Sequence, residues 1–374
     1  MAALEASLTW RWDGIALRDR LVLPDSAFQA DGRWLRAADQ ARRAGSAELD
    51  AAPWLVPGGL PHRDIPASRC RLGGPPRAGR FYPSLAFPDL AQGPRDLRPV
   101  RVLSASAEGV RLDPNHPLAA MGATLSVAAV DMEPARDGRC QALFLGPGLQ
   151  VPAADPDTAY LALEGLCRQD EAPDAGFYAN ARLVQHLDAA CRAELRRLHG
   201  RFLAPGVRVL DLMSSWASHL PSVPEPGHLA GLGMNAEELD ANPRLHERVV
   251  KDLNVRAELP WGDGAFDVVI CTASVEYLLR PAAVLREARR VLRPGGACVV
   301  SFSDRWFPTK AIRVWSELHP FERLGMVLAL LKGAGFEALE AETLRGLARP
   351  ADDKHAEVRP HADPLFAAWG RSPA

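Results

Sequence analysis

The 374-residue chain changes its hydrophobic rhythm near the middle. From Trp10 to about Val151, apolar residues come in short alternating runs at Leu21–Leu23, Arg101–Ala105, Gly109–Leu112 and Thr124–Val130. Pro57-Gly58-Gly59, Gly73-Gly74-Pro75-Pro76 and Asp113-Pro114-Asn115 punctuate them. A period of two buries one face of a strand and such clusters end it, so residues 1–150 are predicted to be β-rich. The alanine-rich run Leu35–Ala51 is predicted to be a helix. A Pro/Asp/Ala-rich stretch at Val151–Asp157 reads as a linker, here taken as 151–175. Beyond it Leu183, Leu187, Cys191, Leu195, Leu198 and Phe202 recur at helical spacing until Pro205-Gly206. Short apolar runs then predict strands at Val207–Leu212, His228–Leu232, Glu247–Leu253, Phe266–Cys271 and Ala297–Phe302. Helices are predicted at Pro281–Leu292 and Phe321–Ala334, followed by an edge hairpin of Glu337–Ala341 and Leu365–Trp369. Strands alternating with helices over 176–374 indicate an α/β domain whose parallel sheet is covered on both faces.

Charge narrows the partners. Lys+Arg of 44 against Asp+Glu of 46 leave a net charge of -2, so no global field recruits nucleic acid or an acidic membrane. No apolar run approaches the roughly 20 residues of a membrane helix. Met1–Arg20 has no apolar core of a signal peptide. Cys70, Cys140, Cys167, Cys191, Cys271 and Cys298 form no CxxC pair, so neither a metal site nor a disulfide framework is expected. A cytoplasmic protein is the expectation.

In open α/β sheets, ligands sit beyond the carboxyl ends of the strands. The residues there are Asp211–His219, then Gly233, Met234 and Asn235, then Asp252, Leu253 and Asn254, then Thr272–Tyr277. They include no GxSxG elbow and no GxxxxGK[ST] loop, which argues against hydrolase and NTPase chemistry.

The strings Val209–Leu212, Gly231–Leu239, Asp252–Asn254, LPWGDGAFDVV (Leu259–Val269) and RRVLRPGG (Arg289–Gly296) resemble class I S-adenosylmethionine-dependent methyltransferases of the small-molecule type 11 kind, over about residues 176–370. DLMSSWASHLP (Asp211–Pro221) resembles a subgroup reading DLxSSWxSHLP, in which Phe177–Asp188 would be a cap helix. The resemblance implies a Rossmann-like domain with a mostly parallel seven-stranded sheet and S-adenosyl-L-methionine as cofactor. It implies methyl transfer to a small-molecule or protein acceptor. It places the cofactor on Asp211, Met213, Ser214, Ser215, Gly233, Met234, Asn235, Asp252, Leu253, Asn254 and Ser274, and the substrate near Tyr178, Arg182 and His186. For Asp211, Asp252, Ser214 and Ser215 the other reading is turn formation at strand ends. Trp216 reads as packing, and His186 and His219 also read as structural histidines.

Two departures stand out. Met213, Ser215 and Ala217 occupy the family's glycine positions, and the bulk of Met213 implies a different backbone path. Gly233 stands where the family has a ribose-binding acid, leaving the amide of Asn235 to take part of that role. No catalytic residue is assigned, because the cofactor's methyl is already activated and positioning can suffice.

In the first half, Arg80–Pro83, Leu112–Ala119 with its Asn115-His-Pro-Leu-Ala119 signature, and Leu125–Val130 resemble FKBP-type prolyl isomerases of the SlyD kind over about residues 75–135. That implies a client-binding flap more than isomerase activity. The rival functions are therefore a non-catalytic interaction protein on a methyltransferase scaffold, or an FKBP-like peptide-binding chaperone or isomerase fused to a methyltransferase.

Overall fold

A computed structural model describes residues 3–55, 59–72, 74–94, 96–119, 121–145, 160 and 163–374. The chain divides into two compact units: Met1–Ala162 with Glu317–Gly325 and Glu342–Leu347, and Leu163–Ser316 with Met326–Ala341 and Ala348–Ala374. Of the expected linker, residues 151–159 and 161–162 lie outside the described residues, as do Pro57, Gly58 and Gly73 of the expected turns. Residues 163–175 belong to the second unit instead.

The strands of the first unit are β1 (Ala3–Trp12), β2 (Ile15–Leu23), β3 (Ser46–Asp50), β4 (Arg63–Pro66), β5 (Phe81–Pro83), β6 (Pro99–Ala105), β7 (Gly109–Asp113) and β8 (Thr124–Val130). Asp13 and Gly14 join β1 to β2 with φ of 45° and 78°. Two left-handed residues give the twist that a two-residue hairpin needs. Pairing is antiparallel, in the orders β2-β1-β8-β3 and β4-β7-β6-β5. The helix Gly32–Ala44 buries Trp34, Ala37, Ala38 and Ala41, one face at three- and four-residue steps. It ends at Gly45 (φ 86°), so the helix expected to reach Ala51 stops early and β3 takes over. The second sheet packs Ile65, Phe87, Val100, Val102, Val110 and Leu112. Glu322 accepts from Arg80 Nε (3.1 Å), Phe81 N (2.8 Å) and His319 N (2.9 Å).

The FKBP/SlyD-like character expected for residues 75–135 finds no support. Arg80–Pro83 enters β5 and Leu112 sits on β7 of one sheet, whereas Leu125–Val130 lies in β8 of the other. Asn115 secures the intervening turn, exchanging hydrogen bonds with Leu60 N (3.0 Å) and Leu60 O (3.1 Å).

The second unit adds β9 (Arg208–Leu212), β10 (His228–Gly233), β11 (Glu247–Val250), β12 (Phe266–Thr272), β13 (Leu292–Phe302), β14 (Glu337–Arg345, shared at its end with the first unit) and β15 (Leu365–Arg371). Their order is β11-β10-β9-β12-β13-β15-β14. The pairings from β11 to β13 are parallel and β13–β15 is antiparallel. Over the described strands the pairing is mixed, which corrects the expected mostly parallel sheet. Strand order reverses at β9 and β12, the switch point where α/β sheets open a crevice. Helix Pro281–Val291 starts on a proline and buries Val284, Leu285, Ala288 and Val291. Helix Ala189–Gly200 is capped by Asp188, whose side chain accepts from Cys191 N (2.9 Å). It starts later than the apolar stripe: Leu183 is 47% exposed and precedes it. The expected cap helix over Phe177–Asp188 is reduced to a single turn, Asp174–Phe177, followed by irregular chain. Among the described residues no helix is long and apolar enough to cross a membrane.

Candidate active site

The carboxyl ends of β9 to β12, the segment from Asp174 to Leu187, and Arg305–Phe307 after β13 enclose a cavity of about 370 Å³. That is within the range of small-molecule sites. Every residue assigned to the cofactor or the substrate in the sequence lines it: Asp211, Met213, Ser214 and Ser215; Gly233, Met234 and Asn235; Asp252, Leu253 and Asn254; Ser274; and Tyr178, Arg182 and His186.

Asp211 is buried and accepts from Ser214 Oγ (2.6 Å). Burial pushes its carboxyl up to about 6, against the pull of the Ser214 and Ser218 hydroxyls. Met213 adopts φ 60°. The backbone there takes a left-handed conformation suited to glycine, which costs a methionine roughly 1 kcal/mol. Ser214 N donates to Leu232 O (2.7 Å), tying this loop to β10.

That tie explains Gly233. A Cβ there would stand 2.2 Å from Ser214 O. The place of the family's acid is filled by a loop carbonyl. Asn235 Oδ1 accepts from Glu238 N (3.0 Å), and its Nδ2 donates to Tyr178 O (2.9 Å) and Ala179 O (3.2 Å). Its amide thus holds backbone at both ends.

Asp252 Oδ1 accepts from Asn254 N (2.8 Å) and Val255 N (3.3 Å), so it does form a turn at the cavity edge. Asn254 Nδ2 donates to Asp174 Oδ2 and Tyr277 O, both 2.9 Å, and its Oδ1 accepts from Leu279 N (2.8 Å). Ser274 Oγ donates to Thr272 O (2.8 Å), beside Ala273 at φ 48°.

Aromatic rings dominate the remaining wall. The Arg182 guanidinium lies 4.5 Å from the Phe177 ring centroid and 5.5 Å from that of Phe307, and Nη2 donates to Phe177 O (2.8 Å). The rings of Tyr178 and Phe177 meet edge to face at 4.9 Å, and those of His186 and Phe307 at 5.2 Å. Burial lowers the His186 ring below its ordinary value. Trp216 Nε1 donates to Val184 O (3.2 Å), so Trp216 packs the segment as well as lining the cavity. His219 is pushed down to about 4 by burial, and its carbonyl bonds His199 Nδ1 (3.0 Å), a structural arrangement.

Sequence reasoning missed Asp174, Glu238, Arg305 and Phe307, all of which line the cavity. Asp174 receives Arg168 Nη1 (2.7 and 2.9 Å) and Lys310 Nζ (3.3 Å). Burial would raise its carboxyl, but Arg168, Asn254 and Lys310 hold it below the usual range. Phe307 follows β13, so extending the strand-end rule to the fifth strand would have found it.

Residues 218–300 match the family described as "Methyltransferase domain". An "Uncharacterized methyltransferase" of Mycolicibacterium gilvum (strain PYR-GCK) is 26% identical over 249 residues, 66% of this chain and 84% of that protein. A "Probable phthiotriol/phenolphthiotriol dimycocerosates methyltransferase 2" of Mycobacterium ulcerans (strain Agy99) is 27% identical over 172 residues, 45% of this chain and 63% of that protein, less than two thirds of the relative's length. An S-adenosylmethionine-dependent methyltransferase structure from Mesorhizobium loti covers 48% of this chain and 96% of its own, at 19% identity and a TM-score of 0.32. The second unit thus carries a methyltransferase domain match on a Rossmann-like fold, running from the loop after β9 into β13.

Proposed function

We propose that the second unit binds S-adenosylmethionine and transfers its methyl group to a small-molecule or protein acceptor. One observation carries this reading. The residues that the sequence pattern assigns to that cofactor, scattered over more than one loop, line a single cavity at the switch point.

The lining suits such a ligand. Gly233 leaves backbone where any side chain would collide, and Ser214 and Ser215 line the same cavity as apolar Met234 and Leu253. The loops Met213–Ser215, Gly233–Asn235 and Asp252–Asn254, with Ser274, would hold the cofactor. When bound, it supplies a methyl group activated by the sulfonium. The chain's own task is orientation and exclusion of water. Asp211 fixes the first loop through Ser214. Tyr277 packs on Phe307 at 5.8 Å and its hydroxyl accepts from Phe307 N (2.9 Å), which fixes an apolar wall. A net charge of -2 supports a small molecule or a protein over a nucleic acid as acceptor.

Calorimetric titration with S-adenosylmethionine and S-adenosylhomocysteine tests this. Micromolar binding, about -8 kcal/mol, is expected for the wild type. Gly233→Ala displaces the Ser214 carbonyl and should weaken it at least tenfold. Folded wild type that binds neither ligand at millimolar concentration rejects the proposal.

A further inference from the structure

The segment from Tyr178 to His186 forms one wall of the cavity yet has no helix or strand of its own. Side chains from the loop after β9 and from the short helix Ala236–Asp240 with its cap Asn235 hold it there. Glu238 Oε1 accepts from Arg182 N (2.7 Å), and Oε2 of the same carboxylate accepts from Ser215 Oγ (2.6 Å). Asn235 Nδ2 binds the carbonyls of Tyr178 and Ala179, and Trp216 Nε1 binds that of Val184. Glu238 links the segment to the loop after β9 through one carboxylate, and Trp216 Nε1 adds a direct link at Val184. Glu238 stands just after β10, the strand whose end cannot carry an acid because Ser214 O lies 2.2 Å from a Cβ at Gly233.

We infer that Glu238 is a positioning residue: its two oxygens clasp residues 178–186 to the loop after β9 and thereby set the shape of the ligand cavity. The ligand side of this inference rests on the cofactor reading above; the clasp itself does not. An ionised acceptor makes stronger hydrogen bonds than a neutral one, so losing the carboxylate removes both ends of the bridge at once.

Hydrogen exchange and S-adenosylhomocysteine titration on the full chain test it together. In Glu238→Ala, amides of residues 178–186 should exchange at least tenfold faster, with helix Pro281–Val291 unchanged, and affinity should fall tenfold or more. Glu238→Gln retains an acceptor for Arg182 N and a polar partner for Ser215 Oγ, and should return both readouts to within about threefold of wild type. Ser215→Ala should loosen the segment less than Glu238→Ala, and the double variant should match Glu238→Ala. Unchanged exchange at 178–186 in both single variants overturns the clasp. So does a uniform rise across the second unit, which would mean lost folding. Exchange as expected without any binding by the wild type would leave the clasp standing and sink the cofactor reading.

Discussion

Two buried carboxylates, one in each unit, have opposite surroundings. In the first unit Glu322 is fully enclosed and receives a guanidinium and two backbone amides. In the second, Asp211 receives hydroxyls and lines a cavity. An acid with a cationic partner and both oxygens occupied is part of the framework, because removing it strands a buried charge. Burial raises both carboxyls, Glu322 against the pull of Arg80 and Asp211 against that of hydroxyls, so of the two only Asp211 is buried with no cation to offset it. Such a group marks a functional site more often than a structural one.

Substitutions can break that contrast. The largest effect is expected for Glu322→Ala, which leaves Arg80, 2% exposed, without its partner; about 3–5 kcal/mol should be lost in urea unfolding. A loss under 1 kcal/mol would mean that the pair is not structural. Asp211→Asn should behave oppositely. The folded-state value of about 6 lies above the ordinary 3.8, so the folded protein holds this proton more tightly than the unfolded chain. Its contribution to stability is complete below about 3.8 and is lost as pH rises through about 6. Removing the acid should flatten that stretch of the pH profile and leave stability at pH 7 unchanged or higher, by up to about 2 kcal/mol, as read from urea midpoints between pH 4 and 7. The smallest effect is expected for Met213→Gly. Relief of the left-handed backbone at φ 60° should gain under about 1 kcal/mol in thermal unfolding, and a loss would show that the Met213 side chain packs more than the backbone strains.

The second unit was the more legible because its strands are short runs of buried apolar residues, and β9, β10, β12 and β13 fall where those runs do. The cavity lining was readable for the same reason: knowing where parallel strands end names the loops. What failed was subtler. The spacing from Leu183 to Cys191 mimics a helical stripe, yet Asp188 caps the helix and Leu183 lies in the irregular segment. An Asp before Ala189-Ala190 was the local signal. In the first unit, Asp13-Gly14 at the β1–β2 hairpin and Gly45 at the end of the helix were signals passed over, both positions taking φ values that glycine or aspartate tolerate. The Nδ2 contacts of Asn235 could not be read, because they reach residues more than fifty positions away in sequence, whereas its cap on Glu238 N is local.

The contact between Gly233 and Ser214 limits which sequences the two loops can carry. Every residue except glycine brings a Cβ, and at 233 that atom would sit 2.2 Å from a carbonyl oxygen. No side chain, acidic or otherwise, can therefore stand at the end of β10 while the Ser214 carbonyl keeps its place. Positions 214 and 233 are in this sense one unit: a side chain at 233 requires a different loop after β9.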